Sequence, residues 1–431
     1  MAIERRENPR VGDRCNRGEF LGDRVIAHDM NATRLSEWVA GNPAVRQVGE
    51  VSDSPAYLVG GIVRDLLRGS DVGPDIDITV EGPVDRLAKR MASDLSADVN
   101  IYERFLTAEV IRMDGACLDF ATARTEQYVE PGALPIVTPA TIDEDLARRD
   151  FTINALAFGL SGPRRGALTD PHGGLADLTS RVVRTVKPGS FVEDPSRLVR
   201  AARYAARLDY VLAPETAAEG REAAGSLSPS SARVADELTR LLREPDAADA
   251  LALLAGLGVP WLGWLPERRE LREQFSAIDR SIGHAAAPSV GVWPMRLGFS
   301  VRADVINSMG LSADERDAAL DAGRGADLAA RLSSTTVPSE VDLILARESP
   351  AAQVSALVHG ASIVTRWWIE WRESQLRIAG SDLLAAGVPE GPAIGRALAS
   401  ARAALLDGRL PNDRDLQLAA AISAAEGGAG V

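Results

Sequence analysis

Residues 75–80 read Asp-Ile-Asp-Ile-Thr-Val. Alternation this strict fits a strand with one apolar face and one polar face, because successive strand side chains point to opposite sides. It puts Asp75, Asp77 and Thr79 on one face and Ile76, Ile78 and Val80 on the other. Just before it, LVGGIVRDLLRG (58–69) is a short apolar run, a Gly-Gly turn and a segment with apolar residues at helical spacing. Strand, turn, helix and strand in such close succession imply a small layered unit of sheet and helix. A further strand pair is implied by TAEVIRMDGACLDFAT (107–122), where Asp114-Gly115 is a hairpin signal and Asp119 falls in the return strand.

The rest of the chain reads differently. Residues 31–48 have the pattern of a helix ended by Gly41-Asn42-Pro43. From about residue 181 onward the text is Ala-, Leu- and Arg-rich, with successive helix candidates such as SRLVRAARYAARL (196–208) and SARVADELTRLLRE (231–244). The expected fold class is therefore α+β: a head with a small mixed β-sheet and helices, followed by an all-helical neck, body and tail. We place a flexible N-terminal tail at 1–30, the head at 31–180, the neck at 181–257, the body at 258–360 and the helical tail at 361–431.

Composition narrows the function classes. The chain of 431 residues is 45% hydrophobic and 25% charged, as a folded soluble protein is. Two cysteines, Cys15 and Cys117, give no disulfide framework, and the N-terminus lacks an apolar signal region, so a cytoplasmic location is expected. The longest uncharged run, 250–266, is too short to span a bilayer and is interrupted by Pro260. Net charge is −13, but residues 148–243 hold 15 Lys and Arg against 11 Asp and Glu, leaving +4 there and −17 elsewhere. Nucleic-acid affinity depends on such local cationic stretches more than on the total.

Three stretches carry candidate chemistry. In the first, Asp75 and Asp77 share a strand face, a spacing suited to divalent cations, and paired metals about 4 Å apart can activate a hydroxyl and neutralise a leaving pyrophosphate. Asp119 could add a third carboxylate. Gly60-Gly61 opens a helix whose backbone amides can approach phosphate oxygens, and Arg64 lies one turn on. Taken singly, Asp-x-Asp also suits a solvated sheet edge, and Gly-Gly a plain strand-to-helix turn. The second stretch, DLARRDFTINALAF (145–158), groups Arg148, Arg149, Asp150 and Asn154, which suits a triphosphate and ribose hydroxyls, or equally a capped helix entry with a surface ion pair.

The third is EDPSRLVRAARYAARLDY (193–210). Asp194 and then Pro195 at the first helical position look like a helix start. Arg197, Arg200, Arg203 and Arg207 fall on one arc of the helix. Asp194 lies one turn before Arg197, so an acceptor and a double donor stand side by side, a pairing able to bond the Watson–Crick edge of a base. A basic amphipathic surface helix is the plainer alternative.

In this order the stretches GGIVRDLLRG…DID, RRDFTINA and EDPSRLVRAAR resemble the class II tRNA nucleotidyltransferase and poly(A) polymerase family, as does DPHGGLADL (170–178). The resemblance covers about 55–255. It implies that Asp75 and Asp77 hold catalytic Mg2+, with Asp119 a less certain third carboxylate. It implies further that Gly60, Gly61 and Arg64 meet the triphosphate, and that Arg149, Asp150 and Asn154 meet triphosphate and ribose. Asp194 with Arg197 would act as the template for the base, supported by Arg200 and Arg203.

The C-terminal stretch 376–416, in which Gly391-Pro392 opens a helix, also resembles some family members. Its helix start could meet an RNA phosphate or serve only as a packing turn. Some relatives carry a phosphohydrolase domain with His-Asp pairs; the one such pair here is His28-Asp29, so that chemistry is expected to be absent. The expected function is addition of C and A to the 3′ end of tRNA from CTP and ATP, without a nucleic-acid template and with release of pyrophosphate. The segment 128–139 departs from the general pattern, which keeps CC-only, A-only or poly(A) addition open. A small-molecule nucleotidyltransferase would lack the base-template helix and the long helical body, and a non-catalytic RNA-binding protein would have lost a carboxylate or a phosphate arginine.

Overall fold

The computed structural model describes residues 31–127 and 136–427. The expected N-terminal tail, most of the divergent segment 128–139 and the last four residues lie outside that set. The chain divides into two units. Unit 1 runs to Asp194 and includes Tyr210–Thr216; unit 2 comprises Pro195–Asp209 and the chain from Ala217.

Unit 1 begins with two helices, α1 (31–41) and α2 (Pro43–Val51). The Gly41-Asn42-Pro43 break was expected to end the helical stretch. Instead it restarts one: the Asn42 side chain accepts a hydrogen bond from the Val45 amide at 3.2 Å, and Pro43 supplies a first-turn φ while lacking an amide that would go unpaired.

Strand β1 (Ala56–Val59) leads into α3 (Gly61–Arg68), then β2 (Asp75–Val80), α4 (Asp85–Leu95), β3 (Asp98–Tyr102), β4 (Thr107–Ile111) and β5 (Cys117–Thr122). A two-stranded ladder of β6 (Arg124–Gln127) and β7 (Ile136–Pro139) follows, then α5 (Ile142–Ala147), β8 (Ala157–Gly159) and β9 (Leu168–Thr169). The main sheet has the order β3-β4-β5-β2-β1-β8-β9. Every pairing in it is antiparallel except β2 with β5. The hairpin at Asp114-Gly115 forms as expected, with Gly115 at φ 82°. Helix α3 packs on β1 and β2, and α4 on β3 and β4. The alternation in β2 holds for Asp75 to Asp77, but Thr79 is buried, because the C-terminal half of this central strand is covered on both faces.

Unit 1 continues through α6 (Gly174–Ser180), β10 (Val182–Val183) and α7 (Ser190–Glu193). It is completed by β11 (Val211–Leu212), which pairs in parallel with β10. The Thr185 amide donates to Thr216 Oγ1 at 3.1 Å, fastening the same junction.

Unit 2 has no strand among the described residues. It opens with α8 (Ser196–Leu208), one residue later than expected, since Pro195 takes the cap position with φ −58° and Asp194 closes α7 in extended conformation. Leu198, Val199, Ala202 and Ala205 bury one face of α8. That face packs against α10 (Ala232–Arg243) and α11 (Ala247–Gly256), which come after α9 (Pro214–Ala223). Beyond them the chain stays helical to its end. There Asp342 accepts from the Trp367 indole at 2.8 Å and from Arg402 Nε at 3.0 Å, joining the helices Pro338–Leu345 and Pro392–Leu406.

Candidate active site

The site in unit 1 is built around the end of β1. Gly60 has φ 72° and ψ −134°, a conformation that side-chain-bearing residues rarely adopt, and it turns the chain directly into α3. A Cβ at Gly60 would lie 3.1 Å from Arg149 Nη1 and 3.6 Å from Asp77 Oδ2. The glycine therefore lets a strand end, a guanidinium and a carboxylate converge at the positive end of a helix.

Behind this turn stands a hydrogen-bonded chain. Arg64, almost wholly buried, donates from Nε and Nη2 to the two oxygens of Asp65 at 2.9 and 2.8 Å, and from Nη1 to Asn154 Oδ1 at 2.7 Å. Asn154 Nδ2 donates to Asp150 Oδ1 at 3.2 Å, and the Asn154 carbonyl accepts from Arg149 Nη1 at 3.2 Å. Stretches about 90 residues apart in sequence are thereby knitted into one polar surface.

A second feature is a row of carboxylates on the sheet. Asp77 on β2 stands opposite Asp119 on β5, and Asp119 opposite Glu109 on β4. Asp75, two residues before Asp77, lies on the same face opposite Cys117. The Asp77 carboxyl is open to solvent but hemmed in by enough protein to lose part of its hydration, which raises its pKa. Arg149 opposes that rise, and Asp119 and Asp75 add to it. Asp119 is raised for the same first reason, with Glu109 and Asp75 contributing and the Cys117 thiol opposing by donating to it at 3.2 Å. Burial and that same bond push the Cys117 thiol up to about 12.

Such crowding of like charges is what a divalent cation would relieve. Among the described residues no three His, Cys, Asp or Glu side chains form a ready metal cage. Two carboxylates on one strand face, Asp75 and Asp77, are a donor set of the kind used by a hard cation that takes one or two carboxylates and completes its shell with water and phosphates.

Asp145, which the sequence reading passed over, lies behind Arg149. It is fully buried in α5 and accepts from Arg148 Nη2 at 2.7 Å and from Arg149 Nη2 at 3.0 Å. Burial alone would raise its pKa, but the two guanidinium groups, Arg149 ahead of Arg148, hold it below the usual carboxylate value. Arg148 also donates from Nη1 to Glu126 Oε1 at 2.7 Å. The signal was present in the sequence as an aspartate three and four residues before two arginines, a one-turn spacing that brings them within reach even though α5 ends at Ala147 and both arginines follow it.

The remaining candidates fall on both sides of the boundary between units. Asp194 is the last residue of the first segment of unit 1, and Arg197 sits buried in the first turn of α8 in unit 2. Arg200 donates to Glu237 at 2.8 Å and Arg203 to Glu244 at 2.8 Å, both carboxylates belonging to unit 2. These two arginines thus anchor α8 within its own helical unit.

Residues 56–184 match the family model described as the poly A polymerase head domain. A CC-adding tRNA nucleotidyltransferase from Deinococcus radiodurans is 35% identical over 347 residues, covering 80% of this chain and 83% of that protein. An A-adding tRNA nucleotidyltransferase from Aquifex aeolicus is 47% identical over 161 residues, covering 37% of this chain. The match spans 19% of the length of that Aquifex protein, and 27% and 48% of A-adding relatives from Geobacter sulfurreducens and Halalkalibacterium halodurans. Among solved structures, a CCA-adding enzyme in an apo form superposes with a TM-score of 0.76 at 25% identity, covering 90% of this chain and 98% of that one. A CCA-adding enzyme in complex with CTP gives 0.70 at 25% identity, covering 87% and 94%.

Proposed function

From the premise that this chain belongs to the tRNA nucleotidyltransferase family, we propose that it adds nucleotides to the 3′ end of tRNA, taking C and A from CTP and ATP. The observation that carries this reading is the convergence of Asp77 and Arg149 on the Gly60 turn, with Asp75 and Asp119 on the adjoining sheet face. A carboxylate pair beside a cationic helix start suits a metal-bound triphosphate better than any neutral ligand.

Asp75 and Asp77 would hold magnesium, which when bound lowers the pKa of an attacking hydroxyl and offsets charge on the transferring phosphate. The Gly61 amide and the guanidinium of Arg149 would bind the triphosphate and keep its α-phosphate in line, while the Gly60 amide donates to the Leu156 carbonyl at 3.3 Å and holds the turn that presents them. Arg64, clamped by Asp65 and Asn154, would add positive charge beneath the turn. Asp150 and Asn154, bonded to each other, would meet the ribose. The tRNA 3′-oxygen bonds to the α-phosphorus, the bond to the β-phosphate oxygen breaks, the hydroxyl proton leaves to solvent and pyrophosphate departs.

Asp194 and Arg197 would read the base. A carboxylate accepts from the exocyclic amines of cytosine and adenine, whereas uracil and guanine would turn a carbonyl toward it. A polar group left unpaired there costs about 1–3 kcal/mol, or roughly one to two orders of magnitude in selectivity. A second reading, addition of CC alone, is favoured by the Deinococcus protein, which matches along most of this chain.

The test is incorporation of labelled CTP and ATP separately, on tRNA lacking its 3′ end and on tRNA already ending in CC. Addition of both nucleotides supports CCA synthesis, C alone supports the second reading, and neither overturns the assignment. Asp194→Ala should relax the rejection of UTP and GTP as well as slow addition.

A further inference from the structure

We infer that Asp145 is a positioning residue for nucleotidyl transfer, holding Arg149 so that its Nη1 stays at the Gly60 turn. The inference rests on the functional reading above and adds to it a residue that touches neither the substrate nor the metal-side aspartates.

The geometry is specific. Asp145 Oδ2 accepts from both Nε and Nη2 of Arg149, at 3.3 and 3.0 Å, which fixes the plane of the guanidinium from one side. Oδ1 is taken by Arg148, through Nε at 3.0 Å and Nη2 at 2.7 Å, and by the Arg124 amide at 3.3 Å. Neither oxygen can swing toward a new partner without breaking bonds in a site fully closed to water. Arg149 spends a third N–H on the Asn154 carbonyl, at 3.2 Å, leaving one hydrogen on each terminal nitrogen. Nη1 is the terminal nitrogen that stands at the Gly60 turn, 3.1 Å from where a Cβ on Gly60 would lie. An arginine held along one edge in this way presents a donor at a set place without losing rotamer freedom when the substrate arrives.

Arg149 itself carries the substrate contact, so removing Asp145 should act on nucleotide binding through Arg149 and not through chemistry in general. Asp145→Asn would set an amide against two guanidinium groups and release the fork. The expected outcome is a KM for ATP and CTP raised on the order of 10- to 100-fold with a much smaller change in kcat, and a parallel weakening of inorganic tripolyphosphate binding measured by calorimetry. Loss of folded protein alone would lower the active concentration and leave KM unmoved.

Because a fully buried substitution can unfold the protein, Arg149→Lys provides the second arm. Lysine keeps the charge but cannot be gripped along an edge, so it should lose tripolyphosphate affinity to a similar degree, and adding Asp145→Asn to it should cost little more. The inference is overturned if Asp145→Asn folds with wild-type KM, if Arg149→Lys binds tripolyphosphate like wild type, or if the two effects multiply in the double variant. If the wild-type protein binds tripolyphosphate in an Asp145-dependent manner but adds nothing to tRNA, the functional reading falls and what stands is the grip of Asp145 on Arg149 for binding a polyphosphate.

Discussion

At the scale of single residues, Asp75 and Asp77 lie on one face of β2, with Asp119 level with Asp77 on the parallel neighbour β5. Asp75→Ala or Asp77→Ala should reduce nucleotide addition on the order of 10²- to 10⁴-fold, the share of barrier lowering expected of a bound metal. Binding of tRNA, followed by filter retention, should stay near wild type, since the work proposed for this pair is metal-dependent chemistry and not the holding of RNA. Asp145 makes a different prediction. Its pKa is depressed in the folded chain, so its contribution to stability is present above the ordinary value of 3.8 and is lost as pH falls through the lower folded value. The melting-temperature gap between wild type and Asp145→Asn should therefore be widest near neutral pH and close below about pH 3.8, whereas a constant gap would mean that Asp145 is not held ionised by its arginines.

Between elements, α8 shows how one row of arginines serves packing. Arg203 donates to Glu244 and lies 3.4 Å from Glu237, and Arg200 and Arg240 reach that same Glu237. Arg203→Met keeps the apolar stem but leaves two carboxylates short of a partner, so urea denaturation should show a loss of about 1–3 kcal/mol. A neutral result would mean that solvent supplies those carboxylates equally well. This doubling of roles explains part of what was legible in the sequence. The Gly60 turn, the first half of the alternation in β2 and the Asp114-Gly115 hairpin are local, and local rules place them, whereas the burial of Thr79 depends on what covers the strand. The parallel pairing of β2 with β5 brings Asp119 level with Asp77, and no local rule reveals it, because strands separated by a helix and a hairpin carry no mark of which edge they will share. The arginine row was visible as a row. Its protein partners, Glu237 and Glu244, lie about 40 residues away and were invisible until the helices met.

For the whole molecule, charge is the property that the pattern of single residues does not convey. The net charge of −13 coexists with a surplus of cations over 148–243. Affinity for tRNA should therefore fall steeply with added salt, each neutralised phosphate contributing roughly 0.7–0.9 to the log–log slope. A flat salt dependence would show that this surplus is spent inside the protein, as it visibly is at Arg148, Arg200 and Arg203. The division into units has its own consequence. Unit 1 is not one continuous segment: the chain leaves it at Asp194, builds α8, and returns for Tyr210–Thr216 before leaving again. A ribosome adding about 5–20 residues per second would reach Thr216 roughly one to four seconds after Asp194. Throughout that interval β10 waits for β11, and the Thr185 amide waits for the Thr216 hydroxyl. Every newly made copy thus polymerises the first helix of unit 2 before it can close unit 1.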